Sequence, residues 1–336
     1  MDKGLEAAIA AGVIDRDTAE RLEPYLANAG PLPDAADPDD EKLRLVTGFN
    51  DIFVTIGLLM FLGALGYLLS NFNPLVAAPA VAAASWALAE FFTRRRRLAL
   101  PSIALLVIFV GSVFLAAVAV VGGALENDLT PGTTLVAGII AAIAAYAHWM
   151  RFRVPITVAA GVAALAAILL ALCQMVAPNL PTDYPIAVFV PLGLAVFALA
   201  MWFDASDLTR QTRRTDIAFW LHLLAAPLIV HPILMPMMKD GTSLGAAVQV
   251  MIVFAFLAVV ALIVDRRAIL VSSLFYLAYA AGTLIAATGL HSSAFAVSTL
   301  AVGAVVLMLS AAWRPLRRAF IGLLPETLRQ RLPAVA

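Results

Sequence analysis

Cysteine, lysine and charge are all scarce in this chain. Cys173 is the sole cysteine and lies inside an apolar run, so no intrachain disulfide can form, and the thiol is expected to behave as a small hydrophobe. Lys3, Lys42 and Lys239 are the only lysines. Charged residues make up 13% of the 336 positions, where a soluble chain carries about a quarter. That excludes a soluble enzyme, a disordered protein and a secreted disulfide scaffold. The formal net charge of zero gives no footing for nucleic acid. No HExxH, paired carboxylates, Cys/His cluster, phosphate loop, G-x-S-x-G elbow or dinucleotide fingerprint occurs, so no catalytic residue, metal ligand or cofactor is expected.

What the chain does hold is apolar surface: 62% hydrophobic residues and a mean hydropathy of +0.95. A bilayer core of roughly 30 Å takes about 17–25 apolar helical residues per crossing. Ten runs meet that measure: 52–70, 75–92, 101–122, 134–150, 155–176, 186–203, 217–235, 244–264, 268–288 and 294–313. They are too long for barrel strands and do not alternate apolar with polar. The expected fold class is therefore all-α, a polytopic membrane bundle of ten helices.

The loops set its orientation. Of 22 basic residues, all but Lys239 fall at the termini or in every second loop, at Arg94–Arg97, Arg151, Arg153, Arg210, Arg213, Arg214, Arg266, Arg267, Arg314, Arg317 and Arg318. Basic residues near spans stay in the cytoplasm. Both termini are thus expected inside a bacterial inner membrane, with lipid as the immediate partner. The first apolar run begins only at Ile52, so no signal peptide is expected.

Outside the spans, residues 1–26 predict a cytoplasmic helical pair. Gly12 is placed to end the first helix, Asp15 or Asp17 to cap the second, and Ala19, Leu22, Tyr25 and Leu26 to line one face. So small a pair cannot bury a core alone, which makes it a candidate dock for a protein partner. Residues 27–50 read as an acidic linker and juxtamembrane helix, 51–313 as the membrane domain, and 314–336 as a cytoplasmic amphipathic tail broken at Pro325. Arg97, Arg153, Arg214 and Arg267 lie 56, 61 and 53 residues apart. A repeated hairpin would give such spacing, and so would the charge rule acting on every second loop; the second reading is preferred.

Polar groups at bilayer depth are costly and mark candidate sites. The seventh run is the richest, with His222, His231, Pro227 and Pro232. Each proline removes a backbone donor, so Pro227 and Pro232 are expected to break the helix and free carbonyls for a cavity. The histidines, nine residues apart, fall on opposite faces and cannot share a metal. At about 1.5 Å per residue His222 lies roughly 7.5 Å into the span and His231 about 21 Å. His231 and Gln249 should match in depth across the next loop and form a cross-helix hydrogen bond. Tyr276 and Tyr279, about 12 and 16 Å into the ninth run, complete the candidate intramembrane set. Simpler roles are expected elsewhere: an edge ion pair for Glu90 and Arg94, an interfacial helix start for Asn50 and Asp51, an interface anchor for His148, and close helix approach at Gly63, Gly66 and Gly138.

Three stretches, GVIDRDTAERLEPYL (12–26), EKLRLVTGFNDIFVTIGLLMFLGALGYLL (41–69) and TDIAFWLHLLAAPLIVHPI (215–233), together resemble uncharacterised multi-span inner-membrane proteins of alphaproteobacteria. These place a short helical segment before a series of spans. The resemblance covers most of the chain and implies no activity or site residue. The expected function is small-solute or proton-coupled transport through the bundle. A scaffold or sensor acting through the N-terminal helices is the alternative, and a lipid-modifying enzyme comes third.

Overall fold

The computed structural model describes residues 5, 9–28, 49–122, 129–208, 210, 212–239, 244–287, 293–329 and 332. It forms two compact units, Met1–Lys42 and Leu43–Val335. In the first, Gly12 adopts φ +69°, a left-handed conformation that glycine takes without a Cβ penalty, and its N–H reaches the Ile9 carbonyl at 3.0 Å. Helix α1, Arg16–Asn28, follows. Asp15 rather than Asp17 caps it, its Oδ1 accepting the Thr18 N–H at 2.9 Å. The Thr18 hydroxyl and N–H together hold the Asp15 carboxyl below its ordinary range. Ala19 is fully buried, whereas Leu22 is exposed. Residues 29–48 of the expected linker and juxtamembrane helix over 27–50 lie outside the described residues.

The second unit contains ten helices long and apolar enough to cross a bilayer. They are α2 (Phe49–Phe72), α3 (Pro74–Ala89, continued by a π-turn over Glu90–Arg95), α4 (Ala99–Val121), α5 (Pro131–Phe152), α6 (Ile156–Val176), α7 (Pro185–Ala205), α8 (Arg213–Lys239), α9 (Leu244–Val264), α10 (Ala268–Ala286) and α11 (Ala294–Ala311). Helix α12, Trp313–Gly322, closes the chain together with a single turn at Glu326–Arg329. No strand occurs among the described residues. The protein is an all-α polytopic membrane bundle. Local chemistry sets several starts: Asn73 and Thr130 cap α3 and α5 by accepting the N–H of Leu75 and Thr133, each with proline in the first turn.

Each helix pair joined at the arginine-bearing end packs along its length: α3 with α4, α5 with α6, α7 with α8, and α9 with α10. Each pair turns through one left-handed non-glycine residue, Arg97, Arg153, Arg210 or Asp265, at φ 53–60°. Their spacings are 56, 57 and 55 residues. The hairpin is thus a recurring structural unit with a nearly constant period. The uneven arginine spacing in the sequence concealed it, because the true register mark of the last turn is an aspartate.

Burial grades across the bundle. Half of the α8 span is buried against neighbours but only 6% of α11, so α8 is central and α11 peripheral. Val196, Ala200, Leu221 and Ala225 form the core between α7 and α8. Val230, Leu234, Phe254, Leu257, Tyr276 and Leu277 continue it through α9 and α10.

Three expectations need correction. The tail helix is amphipathic as expected, but its inner face is taken up by protein: Trp313, Arg317 and Ile321, one turn apart, are buried. Asp51 stands in the first turn of α2 as expected but is not solvated: it is 1% exposed, because it shares the inward stripe of α2 with Thr55, Leu58 and Leu62; Asn50 beside it is exposed. Helix α8 is not broken at Pro227 or Pro232. It runs on through both and through Pro236. Each proline forfeits one backbone bond, and packing on both sides holds the helix continuous.

Candidate functional site

The turn between α7 and α8 is built on Asp207. Its Oδ2 accepts the Thr212 N–H at 2.8 Å, the Thr212 hydroxyl at 2.6 Å and the Thr215 hydroxyl at 3.1 Å. Arg210, left-handed and buried, then directs its guanidinium to the next hairpin, where Nη1 donates to Asp265 Oδ2 at 2.6 Å. The other oxygen of Asp265 accepts the Trp313 indole N–H at 2.8 Å and stands 3.6 Å from Arg317 Nε. Asp265 sits where α9 ends. It takes the C′ position of a Schellman turn in which the Arg266 N–H reaches the Ala261 carbonyl at 3.0 Å.

The neighbouring residue carries the second half of the cluster. Arg266 Nε donates to Asp204 Oδ2 at 3.2 Å, its Nη2 donates to Asp204 Oδ1, and Nη2 also meets the Thr215 carbonyl at 3.3 Å. The His222 Nε2–H donates to Asp204 Oδ2 at 2.8 Å. Asp204, His222, Asp265 and Arg266 are all at most 5% exposed. One Asp-Arg dipeptide thus ties α7, α8 and α12 to the α9–α10 turn. Asp204, Asp207 and Asp265 face Arg210, Arg266 and Arg317, and the half-buried Asp216 interacts with both Arg266 and Asp207, so opposite charges offset one another out of water. Nδ1 of His222, Nε of Arg210 and Nη1 of Arg266 make no hydrogen bond among the described residues. With every anion engaged and nothing reaching solvent, the cluster is a clasp between elements.

A second polar pair sits deeper. The His231 Nδ1 lies 2.6 Å from the hydroxyl of Tyr276, which is 4% exposed. The expected His231–Gln249 bond is absent. Gln249 lies on an exposed face of α9, since α8 packs mainly on α10 rather than on α9. His231 also lines a cavity of about 330 Å³ with Pro185, Phe189, Pro227, Pro232 and Met235. The cavity exists because α7 and α8 meet closely at one level and part at another. A Cβ on Gly193 would lie 3.0 Å from Leu228 Cβ and 3.1 Å from the Ile229 nitrogen, a contact only glycine permits. Near the start of α7 the two helices separate around Pro185 and Phe189. Pro232 and Pro236 leave the Leu228 and Pro232 carbonyls without helical partners at the cavity's level.

The sequence candidates therefore divide. His231 and Tyr276 come together. His222 joins the clasp on another face, as the nine-residue spacing requires. Gln249 stands apart, and Tyr279 is half-buried without joining either group. Among the described residues, no three of His, Cys, Asp and Glu gather as metal ligands would. His148 is not an interface anchor. It is fully buried, 3.2 Å from the Thr157 hydroxyl through Nδ1 and packed on Trp86, Phe109 and Phe152. Glu90 pairs with Arg94 at 3.4 Å as expected, but its stronger partner is Arg151, whose Nε and Nη2 grip both oxygens at 2.7 and 3.0 Å. The clasp escaped the sequence reading because its arginines were taken only as loop charges. Asp204, Asp207 and Asp265 beside them were the available signal.

Fold and site together define a polytopic helical membrane protein with a buried ionic clasp at one end and a mainly apolar cavity, bordered by His231, toward the other. No family model, no curated protein and no solved structure matches the chain.

Proposed function

We propose that the membrane domain binds and passes a small, largely apolar solute through the α7–α8 cavity, with His231 as its polar contact. The supporting observation is one residue's double position: His231 lines the cavity while its Nδ1 is tied to Tyr276. A polar side chain at this depth marks a solute path by default. Pro232 and Pro236 of α8 add carbonyl acceptors at the same level. In this reading the chain is no enzyme, and it sits in a bacterial inner membrane with its arginine-bearing end and both termini in the cytoplasm.

The test is flux. Proteoliposomes challenged with radiolabelled apolar solutes carrying one hydrogen-bonding group should show uptake that falls at least about tenfold in His231→Ala. Equal flux in the variant, or no flux across the panel, refutes the reading. Orientation is tested separately with single cysteines on a Cys173→Ala background. Leu129→Cys should react with an impermeant maleimide from outside intact cells and Arg96→Cys should not; the reverse pattern overturns the assignment.

A further inference from the structure

At the arginine-bearing end, the α3 span finishes in a π-turn, Glu90–Arg95, beside the end of α5. A π-turn inserts an extra residue into the helical count and is found chiefly where a site needs side chains re-aimed. Here it borders a pocket of about 680 Å³ lined by Ala87, Glu90, Phe91, Arg94, Arg95 and Arg151.

The charges in this pocket do not cancel. Glu90 is its single carboxylate, gripped by the Arg151 fork and touched by Arg94. No carboxylate among the described residues lies within ion-pair distance of Arg95, which is exposed. Three guanidiniums against one anion leave the pocket with two positive charges. Arg151 keeps 42% of its side chain open although Glu90 holds one edge. The depth profile is equally specific. Ala87 and Phe91 lie one turn apart on α3, toward the span interior, and Phe91 is 40% exposed. Arg94 and Arg95 follow at the span's end, and the Arg96 guanidinium stacks 5.4 Å above the Phe91 ring. An apolar wall grading into guanidiniums at a helix end is the arrangement of a site for a phosphate whose other end is a hydrocarbon chain.

We propose that this pocket is a binding site for the phosphate headgroup of an anionic phospholipid. Guanidinium forks match phosphate oxygens in pairs, and basic pockets between spans recognise anionic headgroups. The Glu90–Arg151 pair fixes the α5 side of the pocket, and Arg95 supplies the uncommitted charge. A free phosphate ion shares the headgroup chemistry but has no use for Phe91 and Ala87. The site is independent of the α7–α8 cavity and stands or falls without it.

The experiment is native mass spectrometry of the full chain in a neutral detergent, with phosphatidylglycerol and phosphatidylcholine offered in equal amounts. The wild type should retain phosphatidylglycerol preferentially, and Arg95→Gln should weaken retention about fivefold, the effect of one basic residue at an anionic surface. Arg151→Gln should weaken it further. Should that variant fail to fold, Arg95→Gln carries the test, since it breaks no ion pair. An Arg213→Gln/Arg214→Gln double variant, at the turn before α8, removes more charge outside the pocket and should retain the lipid nearly as well as wild type. Equal retention of the two lipids, or equal loss in Arg95→Gln and the double variant, overturns the proposal in favour of diffuse charge. Competition by millimolar inorganic phosphate as effective as that by the lipid overturns the lipid assignment.

Discussion

Arg153 and Asp265 share a left-handed backbone and differ in what their side chains do. Arg153 is exposed and serves α5 only through its N–H, which reaches the Trp149 carbonyl at 3.0 Å. Asp265 is buried and holds Arg210 and Trp313. Glycine relieves left-handed strain at any such position. Arg153→Gly should therefore raise stability in detergent by about 1 kcal/mol. Asp265→Gly should lower it by about 3–5 kcal/mol, because Arg210 would be left buried without its partner. Thermal unfolding of both variants reads the contrast directly, and equal shifts would sink the account. Gly193 gives a companion test. Gly193→Ala should cost about 1–3 kcal/mol by pushing α8 away, whereas Gly111→Ala, with nothing within 4 Å of its new Cβ, should be neutral or better. The His231–Tyr276 bond should appear as a coupling of about 0.6–2 kcal/mol in a cycle of His231→Phe and Tyr276→Phe. Asp15 provides the pH-dependent case. Its carboxyl titrates lower when it caps α1, so the cap is intact above the ordinary carboxylate range and is lost as pH falls through the lowered value. Hydrogen exchange at the Thr18 amide should lose protection on acidification, and an unchanged rate would refute the cap.

Among the elements, the spans were legible and the partnerships were not. Hydropathy placed every span within about three residues at nearly every end, because a lipid-facing helix must satisfy its backbone internally and cover itself with apolar side chains. The larger differences come from polar turns at helix ends, such as Arg213–Asp216 before the apolar part of α8. Pairing is a different matter. Whether Tyr276 or Gln249 meets His231 depends on how α10 turns toward α8, and no periodicity along a single helix carries that information. The same holds for α12, whose Trp313 and Arg317 read as interfacial residues until Asp265 is placed beside them. At its far end the Arg329 guanidinium caps the helix, reaching the Ile321 and Gly322 carbonyls at 3.3 Å. Deleting residues 313–336 should lower the unfolding temperature and should not add to the effect of Asp265→Ala, since both changes dismantle one cluster. Full additivity in the combined variant would show that α12 docks elsewhere.

At the level of the whole molecule, the membrane unit repeats one hairpin four times at steps of 56, 57 and 55 residues and flanks the series with α2 and α11. The repeats are alike in backbone and unlike in chemistry. The first two turns present exposed arginines, and the last two lock together through Arg210 and Asp265. That division places rigidity at the clasp and leaves the other end of α7 and α8 apart around the cavity. Closing the clasp depends on Trp313 and Arg317, which follow Asp265 in the chain, Trp313 by 48 residues. A ribosome must therefore have made α10, α11 and the start of α12 before Asp265 finds its last two partners. Nascent chains halted before position 313 would carry that carboxylate incompletely paired, and quality-control proteases would have a chemical means of telling an unfinished copy from a finished one.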